Sequence, residues 1–184
     1  MKGEKSVSYL LGADKARKAV DMVRPAILAA MESGLLKRKD LHIVIMNPCT
    51  RPHEVESMED AILYEESFGD KEKWKDDYEG IAQAKAIASW RTGLPTHVLR
   101  ETMPYLLQAD EDHADTPFWG SAVLHGVVVA ASGVQSWFDE WVAYMVAAAC
   151  RALCIGVMQE EILKDDRRDY IWERELDGDD SDGR

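Results

Sequence analysis

The residues able to do chemistry in this chain are few and dispersed. Its five histidines are His42, His53, His97, His113 and His125. No two groups stand at the His-x-x-x-His or Glu-x-x-His spacing that would put metal ligands on one helix face. His42 falls in an apolar, strand-like run and reads as a packed or edge residue. His125 falls at a turn and reads as solvent-facing. His113 lies among Asp110, Glu111, Asp112 and Asp115; an imidazole among carboxylates can take a cation, and the same pattern also describes a wet loop. Cys150 and Cys154 are four apart and share a helix face, a spacing open to a metal and equally to two small core hydrophobes. Lys85 is flanked by Ala84, Ala86 and Ala88. Such a small-residue surface lets a ligand or a second backbone approach, so Lys85 could hold a carboxylate; the plainer alternative is a surface lysine with a buried stem. There is no Gly-x-Ser-x-Gly elbow, phosphate loop or dinucleotide fingerprint.

Elements must position these groups. Apolar residues Val20, Val23, Ile27, Ala30 and Met31 recur at helical spacing, predicting a helix over residues 14–33 with Asp14 as N-cap and Gly34 as stop. A short strand over residues 6–11 is expected before it. Residues 41–46 read as a buried strand ended by Pro48. A helix over 77–91 carries Lys85 and ends at Gly93 and Pro95, and a short helix or turn follows over 98–108. Residues 109–117 form a polar loop. The stretch 118–153 reads as strand, turn at His125-Gly126, second strand, corner at Gly133, then helix. The run 127–131 is too continuously apolar for a strand with one wet face. Gly126 suits a hairpin position with positive φ, and Gly133 a sharp strand-to-helix turn. Ser136 is a plausible N-cap, with Asp139 and Glu140 in the first turn, where acids are favoured. A last helix over 158–172 is expected after Gly156, then a disordered acidic tail over 173–184.

Composition sets bounds. At 184 residues the chain makes one domain, over residues 1–172, with room for a real core. Residues 54–79 hold eleven acids and three lysines, a net of −8. Residues 173–184 hold six acids and two arginines, a net of −4. These two segments carry the whole formal charge of −12. Phosphate and anionic lipid need clustered Lys and Arg, so neither nucleic acid nor membrane is an expected partner. Residues 49–79 read as an acidic insertion, with a short strand or helix near 61–64. No run of about 18 apolar residues suggests a membrane span, and no leader is evident. Three cysteines make no disulfide framework, so a reducing, cytoplasmic setting is expected. The order of helices and strands fits an α+β domain with a mostly antiparallel sheet. Six tryptophans, with Trp119, Trp137 and Trp141 grouped near one corner, are consistent with an interface or with a covered core.

Two blocks carry a family resemblance. The segment from Gly120 to the helix start at Asp139 resembles the signature of the GlcG-like, haem-binding or haem-degrading family, with its glycine-marked strand pair, its Gly-Val (Gly133-Val134) and its acidic helix start. Upstream, KAIASWRTGLPT places Lys85-Ala86 and Pro95-Thr96 where the family has a Lys-Ala pair followed by Pro-Thr. The chain departs from the pattern at Trp119, where the family has a glycine, and at Asn47-Pro48, where it has an aspartate. The resemblance implies a profilin-like fold and association into homo-oligomers. It also implies a ligand site at Lys85, Thr96, Gly120, Gly126, Gly133 and Asp139, and haem or a related cofactor as the ligand. His97, next to the Pro-Thr, and His113 would be the axial candidates, since a neutral imidazole is the natural haem ligand.

Three functions follow as expectations. The first is a small oligomeric ligand-binding protein of the GlcG-like type. The second is an enzyme on the same fold acting on a small carboxylated metabolite near Lys85. The third is an accessory protein that docks a partner through its acidic insertion.

Overall fold

The computed structural model describes residues 8–109 and 114–162. His113, the predicted tail over 173–184 and most of the predicted last helix lie outside the described residues. Helix α1 spans Ala13–Glu32 and buries Ala16, Val20, Val23, Ile27 and Met31. The cap position is Gly12, and Asp14 sits inside the first turn instead, where its charge meets the positive end of the helix. Residues 8–11 form no strand. The Ser8 hydroxyl instead takes the Leu11 N–H at 3.0 Å, a local alternative to strand pairing.

Strand β1, Leu41–Met46, is buried along its whole length. It pairs with β2, Ile62–Phe68, on one side and with β4, Val127–Ser132, on the other; β3, Ser121–Leu124, completes a fully antiparallel sheet in the order β2-β1-β4-β3. The acidic stretch 49–79 is therefore not merely an appendage, because it supplies an edge strand longer than the short element expected near 61–64. Charges in the middle of β2 are tolerated at an edge: Arg24 reaches Glu66 at 2.7 Å and Gln83 donates to Glu65 at 3.0 Å.

Both faces of the sheet are covered. Leu41, Ile43, Ile45, Val129 and Ala131 meet α1 and helix α4, Ser136–Val157. Val44, Met46, Val128 and Ala130 meet α2, Tyr78–Thr92. Burial on both sides is why these central strands read as continuous apolar runs. Asp77 caps α2 by accepting from Gly80 N at 2.9 Å, and Gly93 ends it in the left-handed region. Helix α3, Thr96–Thr102, follows, with a 3₁₀ turn at Pro104–Leu106. His125 and Gly126 both have positive φ, the geometry of a two-residue turn whose twist matches a hairpin. In α4 the cap position is Gln135, not Ser136. The helix runs through Gly156 and continues as a π-helical turn, Met158–Ile162, so the expected break at Gly156 is absent. One glycine costs a helix only about 1 kcal/mol, too little to end one held by its packed face.

Among the described residues, α4 with its extension is the one helix long and apolar enough to cross a membrane. Its inner face packs on the sheet and α1, and it buries the carboxylate of Asp139, while 33 % of its most apolar stretch is buried. The expectation that the chain holds no run of this length and apolarity is corrected by this helix. The truncation Ile43→Ala removes a fully buried side chain between β1 and the α1/α4 layer. A loss of about 2–5 kcal/mol is expected in denaturant unfolding, while the exposed Leu28→Ala should stay within about 0.5 kcal/mol of the parent.

Candidate functional site

Lys85 is neither a ligand hook at the surface nor a snorkelling lysine. It leaves the middle of α2 toward the sheet and is 1 % exposed. Its ammonium donates to the Ala131 carbonyl at 2.9 Å and to Asp139 Oδ2 at 3.0 Å. Asp139 comes from the first turn of α4. Its other oxygen, Oδ1, accepts from Val134 N at 3.1 Å, and Gly133 N also donates to the carboxylate. Burial pushes the lysine down and the carboxyl up, and each partner's charge pulls the other back toward ionisation. The pair joins α2, the β4–α4 corner and α4.

Gly120 belongs to the same knot. Its φ is +140°, and a Cβ there would lie 2.5 Å from Asp139 Cβ and 3.0 Å from Lys85 Nζ. Gly120 N donates to Thr96 Oγ1 at 3.0 Å, and Thr96 N donates to Ser121 Oγ at 2.8 Å. Ser89 completes this buried polar group with a 2.7 Å contact to Ser121 Oγ. The structure thus brings together Lys85, Gly120, Gly133 and Asp139, with Thr96 one hydrogen bond removed. Gly126 is apart, at the exposed hairpin tip.

Above the ion pair opens a cavity of about 480 Å³. Lys85, Asp139, Ser132 and Gly133 lie on its sheet side, and Gln135, Ser136 and Trp137, from the start of α4, on another. Lys37, Arg38, Asp76 and Tyr78 contribute from the loops and from the start of α2. Arg38 donates to the Tyr78 hydroxyl at 2.7 Å, and Gln135 is held by Lys37 N at 3.1 Å and the Leu35 carbonyl at 3.3 Å. Lys37, Arg38 and Gln135 were not among the sequence candidates. Lys37 and Arg38 come from a segment about 100 residues before α4, Gln135 from its cap position, and no local motif marks the three.

Among the described residues no imidazole, thiolate or thioether lines this cavity, and its phenol is engaged by Arg38, so the described lining does not fit haem iron. His97 lies outside it: its Nδ1 meets a Glu140 carboxylate oxygen and its ring stands edge-on to Trp119, 6.1 Å away. Cys150 is buried, its thiol pushed up to about 12 by burial, and behaves as a core residue. No protein-family model matches the chain, and no curated protein or solved structure gives a significant match.

Asp139→Asn keeps the shape of the acceptor but leaves the Lys85 charge buried without a counterion. It is expected to cost about 3–5 kcal/mol. The double variant Lys85→Met/Asp139→Asn should lose far less than the sum of the single losses, read as coupling in a double-mutant cycle. Gly120→Ala should cost upwards of about 2 kcal/mol in the same unfolding assay, from backbone strain and from the contact with Asp139.

Proposed function

We propose that this protein binds a small anionic metabolite, a carboxylate in the first instance, in the cavity above the Lys85–Asp139 pair. The observation that carries the reading is charge placement. In a chain of net charge −12, this cavity gathers Lys37, Arg38 and Lys85 against two aspartates. It also opens onto the first turn of a 22-residue helix, whose positive end favours an anion. Its volume falls in the range of small-molecule sites.

The enzyme reading ranks second, because Lys85 is already held by Asp139 and the Ala131 carbonyl and would have to leave both to act as a base or nucleophile. Haem ranks below both, since the described lining of the cavity offers its iron no ligand. Association of copies is part of the proposal, on the ground that α4 leaves Trp137, Tyr144 and Ile155 exposed; a light-scattering mass tests it. A reducing, cytoplasmic setting is supported by three free cysteines.

Trp137 lines the cavity, so its fluorescence reports occupancy. Titration with acetate, succinate, citrate and inorganic phosphate should show at least one saturable ligand at one per chain, weakened about tenfold or more by Arg38→Ala. Silence from all four anions, or an Arg38→Ala variant that binds as the parent does, would overturn the anion reading. A haemin titration with a saturating Soret shift, abolished by His97→Ala or His113→Ala, would restore the haem reading.

A further inference from the structure

A second constellation lies on the same face of the sheet, outside the cavity lining. In the antiparallel register His42 of β1 stands opposite Ser67 of β2, and Val44 opposite Glu65. Side chains two apart share a face, so His42, Ser67 and Glu65 all point toward α2. The first turn of α2 brings Glu79 over them. One ligand atom from each of His42, Glu65 and Glu79 lies within 4.8 Å of the others.

His42 is the informative member. It is 2 % exposed. Its Nδ1 meets Ser67 Oγ at 2.7 Å. Its Nε2 is buried without a hydrogen-bond partner; Glu65 Oε2 stands 3.5 Å away but outside bonding geometry. A buried ring nitrogen left without a partner is costly. In the tautomer whose Nδ1–H donates to Ser67 Oγ, Nε2 carries the ring's lone pair and faces Glu65.

We propose that His42 Nε2, Glu65 and Glu79 form a binding site for a divalent first-row transition ion, with Zn²⁺ the best match. One imidazole and two carboxylates supply borderline nitrogen and oxygen ligands and cancel the ion's charge. Ligands about 2.1 Å from a tetrahedral ion are about 3.4 Å apart, and the His42–Glu65 pair already stands near that separation. Ser67 orients the imidazole through the other ring nitrogen, as partners of metal-bound histidines do. Both glutamates are about one-third exposed, so an ion can enter from solvent. Trp74 walls the site, its ring edge-on to His42 at 6.3 Å and its own buried Nε1 without a partner. Two cross-contacts oppose binding and must yield: Lys71 pairs with Glu79, and Gln83 donates to Glu65. The ion would clasp the acidic segment and the start of α2 onto the edge of the sheet, leaving a coordination position open.

The test is calorimetric titration of the metal-free full chain with Zn²⁺ alone, with Co²⁺ absorption as a second readout. One Zn²⁺ site per chain should disappear in Glu65→Gln and in Glu79→Gln, both near-isosteric and partly exposed, with folding checked by circular dichroism. Ser67→Ala should weaken the site about 10- to 100-fold. Lys71→Met, which frees Glu79, should tighten it, an effect that loss of fold cannot mimic. The proposal is overturned if the parent binds no stoichiometric Zn²⁺. It is also overturned if the count and affinity survive both glutamate variants, as they would if the ion sat on the acids around His113 or in the tail.

Discussion

One buried ion pair governs the geometry of this protein. Lys85 and Asp139 are 54 residues apart in sequence and almost fully shielded from water. Two charges removed from water are costly, and they persist only when every remaining donor and acceptor is met closely. Here the ammonium is shared between the carboxylate and a strand carbonyl, and the carboxylate also collects the backbone N–H groups of the β4–α4 corner. The helix above the sheet, the strand within it and the helix below are thereby held at one crossing. Gly120 follows from the pair, because no side chain fits between its Cα and Asp139 Cβ.

The same crossing decides where chemistry is possible. The face of the sheet toward α1 and α4 is closed by an apolar cluster. The face toward α2 has a smaller apolar cluster, flanked by polar groups. Where β4 leaves for α4, Lys37 and Arg38 meet the start of α4 over the ion pair. Toward the β2 edge, His42 and two glutamates converge. The two places adjoin: His42 pairs in register with Ser132, which lines the cavity, and Trp74 touches both the His42 ring and Tyr78. The anion and the metal readings thus concern neighbouring parts of one surface, although each rests on its own residues.

Much of the fold was legible in the chain. Helical spacing marked α1, continuous apolar runs marked β1 and β4, His125-Gly126 marked the hairpin, and Lys85 and Asp139 stood out by position. These signals are local, since they depend on period, turn chemistry and residue type within a few positions. Their small errors are local too. Capping fell on Gly12 and Gln135 because backbone geometry outweighed side-chain preference, and Gly156 did not end α4 because packing outweighed propensity.

What only the tertiary structure decided is pairing across distance. The sequence by itself determined an α+β domain, its central strands and a lysine among alanines. It did not say that this lysine turns inward onto Asp139, that acidic residues 62–68 form a sheet edge, or that His42 meets Glu65 and Glu79. Strand register and helix docking set those encounters. Register is a property of two segments at once, whereas periodicity belongs to one. A charged residue in a run such as ILYEESF reads as solvated until its partners, Arg24, Gln83 and His42, are brought beside it by the fold.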